Sequence, residues 1–556
     1  MAIIRVSDYG AAPTGSRCSA AALEAALAAA QPGDTVQLSA GCYLLRRRAW
    51  GRGLQGVTLR GEGAVLLLHF DRECFDGLDG ALGFADCRDL TVQDITLDCD
   101  VSPNSAGEVC AVDTAAGTVD VRVAAEFALT GREQINSIMS MDADGSPDYA
   151  IATYGRCPYT MPQPNVLRIP AAQQGIDLAA VFVGQHIALR HVIYGADLVR
   201  FSGVEGCTLR DVTVWNAPGL VFLVQPRSRD FTFERVQVVL PPHTARLLAA
   251  NADGVHIAGL MGRLVMRDCR FEQLGDDALN IHSIAGTVQA LDAAAGEATV
   301  HYKRTDADLS PAWAAPGDRL YVHDPVTFLP RGQVEVLSFA GRRLRYRPVS
   351  GRIAVGDVLS NAAYYAETLV TGCTVKNTRA RGLLLQTHHI TVENCHFYGL
   401  SLAALLLAPD IAYWYEVGPS AHVVLRNNHI EKCAFVRHPS NLGAVLIKCS
   451  HENYGRAYPA GVHRDITVAD NRFCGIGASA VYANGVQGLR ITDNTLAACC
   501  TNPFDRRKRS LKYDIAVIRC ADVTVQGNRS DRPADRRAYV AGVRGLHTPP
   551  GEGQKR

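Results

Sequence analysis

A short phrase of alternating apolar and polar residues recurs from residue 207 onward, and this internal repeat is the feature that most limits the fold. Copies are spaced by about 20 to 35 residues, and each is followed by a turn and a second short apolar run. Alternation over four to six residues predicts short β-strands. The copies are TLRDVTVWN (208–216), FERVQV (233–238), LVMRDCRFEQ (264–273), GCTVKNTRA (372–380), ITVENCHFYG (390–399), VVLRNNHIEKC (423–433), ITVADNRFCG (466–475), LRITDNTLAA (489–498) and VTVQGNRS (523–530).

Stacked copies of such strands predict an all-β fold, a right-handed parallel β-helix. Leucine-rich or helical repeats would need a long segment of period 3.6 in each copy, whereas GLLLQT, ALLLAP and AVYANG have strand length. A β-sandwich is the main structural alternative, but it does not explain why asparagine recurs in the turns. Because asparagine tolerates left-handed backbone, we expect one recurring turn position for Asn394, Asn427, Asn471, Asn494 and Asn528.

Two turn-rich, alternating segments interrupt the repeat and read as small antiparallel β-barrels inserted between coils. The second follows directly after Asn280 and His282, so it should wall a pocket beside them, and such a pocket suits a small terminal group better than a long polymer. We predict a cap and first coils at 1–100, an inserted barrel at 101–195, coils with the key aspartates at 196–283, a second barrel at 284–366, C-terminal coils at 367–540 and a flexible tail at 541–556.

Charge and hydropathy exclude several classes of protein. The 56 Lys and Arg residues nearly balance the 55 Asp and Glu residues, so no strong field is available to attract nucleic acid. No apolar run approaches the ~20 residues needed for a membrane span. MAIIRVSDYG opens on a strand-like pattern, which predicts a cytoplasmic chain, or a secreted or periplasmic one whose leader was removed.

The seventeen cysteines show no C-x-x-C pairs with metal-site spacing, and most are expected to be buried thiols, as in a reducing compartment. Four recur just ahead of strand-like runs, where a small apolar side chain could pack inside repeated turns: Cys207, Cys269, Cys373 and Cys395.

Two acidic motifs, NADGVH (251–256) and GDDALNIH (275–282), lie about one coil apart. Aligning DGVHI with DALNI places Asp253 over Asp277 and His256 over Asn280, with stacked residues roughly 5 Å apart. In the next intact coil, Arg381 of TRARGLLLQT occupies the position equivalent to Asp277. Neighbouring residues of a strand face opposite ways, so Asp276 can join Asp277 only if the chain bends, for which Gly275 is suited.

Three crowded carboxylates repel one another, so at least one should be held protonated near neutral pH while the others remain ionised. This split serves acid/base hydrolysis, in which an acid protonates the leaving oxygen and a carboxylate activates water. In inverting glycosidases the two carboxyl groups are roughly 6.5 to 9.5 Å apart. Asp253, Asp276 and Asp277 are therefore the candidate catalytic residues, although DG and GDD are also ordinary turn sequences.

Candidate substrate-binding residues surround these motifs, and for each of them plain packing is an alternative. Polar contacts to a sugar are expected from His256, Asn280, His282, Arg381 and Glu416, and Arg381 could instead hold Asp277 ionised. Trp414, in the repeat-breaking loop APDIAYWYEVG, and Trp215 could stack on a sugar ring. No metal or cofactor is needed for this chemistry.

VSDYGAAPTGSRCSAAALEAALAAAQPGDTVQLSAGCYLL (6–45) resembles the cap and first coil of many pectin-active β-helix enzymes, and the two acidic motifs resemble their N-T-D and D-D elements. The G-H-G and R-I-K tripeptides of polygalacturonases are absent. The chain is more similar to glycoside hydrolase family 110, the exo-acting α-1,3-galactosidases, through DGVH, GDDALNIHS and VGQHIALRHVIYGAD (183–197).

This resemblance implies hydrolysis of terminal α-1,3-linked galactose with inversion and without a cofactor, on linear or branched blood-group-B-type glycans. It also implies Asp276 as the general acid, with Asp253 and Asp277 positioning and deprotonating water. Two other functions stay open, a polysaccharide lyase or polygalacturonase-like depolymerase and a non-catalytic glycan-binding β-helix. A homodimer is also left open.

Overall fold

The computed structural model describes residues 1–302, 311–411, 413–436, 441–449, 458–502 and 512–547. Beyond His547, the predicted tail lies outside these residues. The one α-helix within these ranges, Ala20–Ala29, covers the first coil with buried Leu23 and Leu27. Short 3-10 helices span Val6–Tyr9, Ala125–Phe127, Ala172–Gln174, Leu178–Ala180, Pro311–Trp313, Ala362–Tyr364 and Ala534–Arg536. Among the described residues no helix is both long and apolar enough to cross a membrane.

Two ladders of parallel strands merge into one twenty-five-stranded sheet that forms two faces of the coil. Each strand pairs in register with its equivalent in the next coil, as where Thr374 lies beside His396. The strands are Ile3–Arg5, Thr14–Cys18, Thr35–Leu38, Gly41–Leu45, Thr58–Leu68, Arg88–Cys99, Glu205–Arg210, Thr213–Val214, Ser228–Glu234, Gln237–Val238, Leu260–Arg267, Arg270–Glu272, Glu367–Thr371, Thr374–Lys376, His388–Glu393, His396–Leu400, Ala421–Arg426, His429–Cys433, His463–Ala469, Arg472–Cys474, Val486–Thr492, Thr495–Ala497, Ala521–Gln526, Arg529–Ser530 and Arg544–His547.

A third parallel ladder forms the remaining face of the coil. It includes the strands that follow the aspartates of the two acidic motifs. It contains Ala49–Arg52, Leu82–Ala85, Val199–Ser202, Phe222–Val224, Val255–Ala258, Leu279–Asp292, Leu383–Leu385, Leu405–Leu407, Gly443–Ile447, Ser479–Asn484, Ile515–Ile518 and Ala538–Ala541. Apolar side chains of all three ladders form one continuous buried cluster along the axis. The predicted right-handed parallel β-helix is therefore confirmed.

The first interruption of the coil is a seven-stranded antiparallel sheet with two edge strands, Pro147–Ala152 and Thr160–Gln163, so the prediction of a closed barrel at 101–195 was wrong. The strands between them, in spatial order, are Ser137–Met141, His186–Arg190, Asn104–Asp113, Thr118–Val123 and Val166–Pro170. The sheet has its own hydrophobic core.

The second interruption is a small antiparallel barrel, as predicted. Leu279–Asp292 runs from the third ladder directly into it and pairs with both its first and last strands. The ring is closed by Glu297–His301, Arg343–Gly351, Pro330–Ala340, Arg319–His323 and Val358–Asn361. Because one strand belongs to both bodies, the barrel stands directly beside the site. A short strand, Glu416–Val417, pairs antiparallel with Ser283 and Ile284 of that shared strand.

The recurring asparagines occupy two adjacent positions, so the prediction of one shared position was wrong. Asn394 and Asn427 have left-handed backbone, with φ of 55° and 54°. The next position carries a ladder in which each backbone N–H donates to the side-chain oxygen of the asparagine in the next coil. The ladder bonds are Asn428 to Asn471 (3.0 Å), Asn471 to Asn494 (3.0 Å) and Asn494 to Asn528 (3.1 Å).

The cysteine pattern also needs one correction. Cys269, Cys373 and Cys395 stack one coil apart, in the column that the asparagine ladder continues. Cys207 instead pairs in register with residues in the middle of neighbouring strands. All seventeen cysteines are free thiols, and most are buried, as predicted.

Candidate active site

A pocket of about 370 Å³ lies where the third ladder, the barrel and the segment before Glu416–Val417 meet. Its polar lining comes from three consecutive coils of the third ladder, from the barrel, and from segments that precede Val199–Ser202 and surround Glu416–Val417. The lining residues include Tyr194, Asp253, His256, Asp276, Asp277, Asn280, His282, Tyr302, Arg381, Asp410, Trp414 and Glu416. A hollow of this volume is in the size range of small-ligand sites.

The pairing of Val255–Ala258 with Leu279–Asp292 brings the two acidic motifs together. Val255 pairs with Leu279 and His256 with Asn280, as the aligned motifs predicted. Asp253 therefore lies one coil below Asp277, whose backbone N–H donates to Oδ1 of Asp253 at 3.2 Å. Because the separation of 24 residues matches one coil, distance in the chain becomes contact in space.

Asp276 and Asp277 both line the pocket because the chain bends ahead of the strand that starts at Leu279. Gly275 permits the bend by close approach, since an added Cβ would lie 2.4 Å from the carbonyl oxygen of Asn251. All three aspartates are at most 6% exposed. Each offers a carboxylate oxygen within 4.8 Å of the other two. This spacing is shorter than the roughly 6.5 to 9.5 Å expected from inverting glycosidases.

Asp276 is held by cations and a phenol. The hydroxyl of Tyr194 donates to its Oδ2 at 2.5 Å, and Nη2 of Arg379 donates to Oδ1 at 3.2 Å. Nη2 of Arg381 lies 4.0 Å from the same oxygen. Burial alone would raise the pKa of Asp276, but the two guanidinium groups and the phenol outweigh it, so the pKa is lowered.

Asp253 and Asp277 have the opposite electrostatic balance. Burial, followed by repulsion from Asp276 and Glu416, raises the pKa of Asp253 well above its usual range. Burial raises the pKa of Asp277 to about 7, although the backbone N–H and Nε of Arg381 donate to its Oδ1 at 2.9 and 2.8 Å. The trio therefore divides into one ionised carboxylate and two that retain protons more readily.

The two pocket histidines form a chain of contacts with Asp253. Nδ1 of His256 lies 2.8 Å from Oδ2 of Asp253, and its Nε2 lies 3.2 Å from Nε2 of His282. Nδ1 of His282 donates to the carbonyl oxygen of Ser283 at 2.9 Å. Burial lowers the pKa of both histidines, which favours neutral imidazoles.

Glu416 completes this side of the pocket. Asn280 Nδ2 and Gln386 Nε2 donate to its two oxygens at 3.1 and 3.3 Å, and Nε2 of His282 lies 3.8 Å away. Burial would raise the pKa of Glu416, but the two pocket histidines and these contacts lower it. A carboxylate with two imidazoles could hold a divalent cation, and it could equally bind sugar hydroxyls.

The structure brings nine of the ten predicted site residues to this pocket. Trp414 lines it, with its ring 6.2 Å from that of Tyr194 in an edge-on arrangement. Trp215 is not among the lining residues. It lies directly after Thr213–Val214 of the twenty-five-stranded sheet, and its backbone N–H donates to the carbonyl oxygen of Leu97. Alternation alone does not reveal which face of the coil a turn residue joins.

Sequence reasoning missed Tyr194, Arg379 and Tyr302. Tyr194 lies in VGQHIALRHVIYGAD, where the chain returns from the first insert, and the resemblance of that stretch to the family does not single out its tyrosine. Arg379 lies two residues before Arg381 in TRARG, so alternation could have placed both on one side. Tyr302 comes from the barrel and lines the pocket, and no repeat pattern predicts its position.

Comparison with known proteins gives a consistent set of relatives, although no family model matches the chain. It is 23% identical over 485 residues to alpha-1,3-galactosidase A of Bacteroides fragilis, covering 81% of this chain and 75% of that protein. It is 25% identical over 330 residues to alpha-1,3-galactosidase B of Akkermansia muciniphila, covering 58% and 40%. It is 24% identical over 381 residues to alpha-1,3-galactosidase B of Bacteroides thetaiotaomicron, covering 66% and 59%.

Solved structures with a similar fold include two polygalacturonases. The family 28 exopolygalacturonase of Yersinia enterocolitica has a TM-score of 0.48 at 13% identity, over 98% of this chain and 78% of that one. The hyperthermoactive exopolygalacturonase of Thermotoga maritima has a TM-score of 0.44 at 11% identity, over 95% and 91%.

Proposed function

We propose that this protein is an exo-acting glycoside hydrolase of the family 110 type, which releases terminal α-1,3-linked galactose from linear or blood-group-B-type glycans with inversion. The observation that carries the proposal is the burial of three carboxylates from adjacent coils at one pocket, with their charges divided by their neighbours. The choice of galactose and of the linkage rests on the named relatives and on the motif resemblance.

The pocket supports exo action on a single terminal sugar. The shared strand Leu279–Asp292 leads into the barrel, and Ile284 and Tyr302 line the pocket on that side. Trp414 and Tyr194 supply aromatic surface on which the apolar face of galactose can pack. A polymer needs a groove open at both ends, whereas a terminal residue needs only one entrance.

The hydrogen-bond chain through the histidines supports a protonated Asp253. The Ser283 carbonyl can only accept, so Nδ1 of His282 carries a hydrogen and its Nε2, in the neutral ring, is an acceptor. His256 must then donate from Nε2, so a neutral His256 accepts at Nδ1. Asp253 becomes the donor to His256 and holds the proton.

This assignment differs from the one that the resemblance implies, in which Asp276 is the acid. Arg379, Arg381 and Tyr194 all favour the ionised form of Asp276, which suits a base that accepts a proton from water. Asp253 then protonates the departing glycosidic oxygen. The products are free galactose and an aglycone hydroxyl, and Asp277 with Arg381 positions the water.

The depolymerase alternative is less well supported by the pocket. A uronate substrate needs cations that are available for its carboxylates. Arg381 is bound to Asp277 and Arg379 to Asp276, so both guanidinium groups already have carboxylate partners. A neutral terminal sugar has no carboxylate, so it needs no free cation in the pocket.

The test is incubation with Gal-α-1,3-Gal, the branched B trisaccharide, an α-1,4-linked galactobioside and polygalacturonate, followed by proton NMR of the first product. We expect β-galactose from one or both α-1,3 substrates. Cleavage of the α-1,4 compound or of polygalacturonate alone would overturn the substrate assignment. Initial release of α-galactose would overturn inversion. This stereochemical result is critical because the carboxylates are closer together than in inverting glycosidases.

A further inference from the structure

Two histidines and a glutamate form a second polar cluster on the outer face of the coil, away from the pocket. His396 begins one strand, and His429 and Glu431 lie on the equivalent strand of the next coil. Their side chains are between one third and one half exposed. We call these three residues the outer histidine cluster. None of them lines the candidate active site.

The strand register builds this cluster. His396 pairs directly with His429, so their rings lie parallel, with centroids 5.0 Å apart. Glu431 lies two residues after His429, and alternate residues of a strand share one face. The three side chains are therefore brought to one spot by the backbone and not by a flexible loop.

The geometry leaves two imidazole nitrogens without hydrogen-bond partners. Nε2 of His396 and Nε2 of His429 are both inaccessible to solvent, and neither makes a hydrogen bond. Both face Oε2 of Glu431, at 3.8 and 3.5 Å. These separations are longer than good hydrogen bonds, and an unpartnered buried nitrogen costs free energy.

The 3.5 Å separation equals that between ligand atoms of one metal ion, and the 3.8 Å separation is slightly longer. Zinc binds imidazole nitrogen at about 2.0–2.1 Å and carboxylate oxygen at about 2.0–2.2 Å, so tetrahedral ligand atoms lie about 3.3–3.5 Å apart. The potential donor atoms of the cluster all lie within 4.8 Å of one another. Small rotations of two half-exposed rings would bring both nitrogens onto one ion, and a solvent molecule can complete its coordination.

The electrostatic environment allows a cation. Burial lowers the pKa of His429, and repulsion from His396 and Arg472 adds to this, although Glu431 acts in the other direction. A neutral imidazole is the form that binds metal. Arg472 follows His429 in the same column but is exposed, so solvent screens its charge.

We propose that His396, His429 and Glu431 form a binding site for a borderline divalent cation of the Zn²⁺ class. Two nitrogens and one oxygen favour such ions over Mg²⁺ or Ca²⁺, which prefer oxygen ligands. The bound ion would join adjacent coils and stabilise the folded chain by mass action. The proposal is independent of the galactosidase assignment.

The experiment is a zinc titration of the chelator-treated full chain by calorimetry, after alkylation of the exposed thiols. The parent should bind one more equivalent than H429Q, and E431Q should bind that equivalent at least 10-fold more weakly. The matched control is H69Q, because His69 is an exposed imidazole beside a single carboxylate, Asp100, and it should behave like the parent. Mg²⁺ should give no such difference.

A second readout locates the ion. Zinc-edge anomalous diffraction from soaked crystals should give a peak between the three side chains in the parent and none in H429Q. The thermal midpoint should rise with zinc in the parent and H69Q more than in H429Q. Equal stoichiometry in parent and H429Q, or a peak only at the pocket histidines or the cysteines, would overturn the proposal.

Discussion

The hydroxyl of Tyr194 donates a hydrogen bond of 2.5 Å to Oδ2 of Asp276, across 82 residues of chain. Tyr194 follows the last strand of the first insert, His186–Arg190, and Asp276 lies in the coil. The contact helps to keep Asp276 ionised in a site where burial alone would protonate it. A residue at the end of the first insert therefore helps to lower the pKa of a carboxylate on the β-helix.

The Tyr194→Phe substitution should shift the acidic limb of the pH profile of kcat/KM to higher pH. A hydrogen bond to a charged group is worth about 1.5–3 kcal/mol, which corresponds to about one to two pKa units. Without it the pKa of Asp276 rises, so the base is protonated at a higher pH. Tyr159→Phe is the control, because Tyr159 donates to the backbone carbonyl of Glu133 in the same insert. An unchanged limb in Tyr194→Phe would argue against an ionised Asp276 as the base.

The Asp253→Asn and Asp276→Asn variants should respond differently to the leaving group. Each should lose about 10²- to 10⁴-fold in kcat on a natural glycan, as expected for loss of general acid or base catalysis. An aryl galactoside with an acidic phenol needs little protonation, so it should restore much of the rate to Asp253→Asn only. Restoration in Asp276→Asn instead would return the acid role to Asp276, as the resemblance implies.

The His282→Leu substitution should shift the basic limb of the pH profile of kcat/KM to lower pH. Leucine cannot accept from Nε2 of His256, so that ring can change tautomer and place its hydrogen on Nδ1, facing Asp253. A donor at that position favours ionised Asp253, so the acid is lost at a lower pH. His282→Gln keeps an acceptor near Nε2 and should retain the parent profile. Identical profiles for leucine and glutamine would show that the histidine chain does not hold the proton.

The Asn471→Ala substitution should destabilise the C-terminal coils by about 2–4 kcal/mol, because it leaves buried polar groups unpaired. Asn471 accepts from the backbone N–H of Asn428 and donates to the carbonyl oxygen of Leu425. The measurement is the midpoint of thermal unfolding. Asn427→Gly is the control; Asn427 is exposed and left-handed, so glycine should leave the midpoint unchanged or raised. Similar effects at both positions would contradict a specific role for the ladder.

Local periodicity allowed much of the fold to be predicted from the sequence. Strand alternation and coil-length spacing are properties of short segments, so DGVHI and DALNI could be aligned from the sequence alone. That alignment placed His256 beside Asn280 in the correct register. The same reasoning failed by one position for Asn427, because neighbouring residues of a turn carry similar signals although only one of them points inward.

The amino-acid sequence by itself determined which carboxylates meet, because the 24 residues between Asp253 and Asp277 make one coil and stack the two side by side. Only the tertiary structure decided their charges. Tyr194 and Arg379 reach Asp276 from segments 82 and 103 residues away, and Glu416 reaches Asn280 across 136 residues. The pKa of a buried acid depends on every charge and donor within a few ångströms, and inserts of irregular length bring those groups back to the coil.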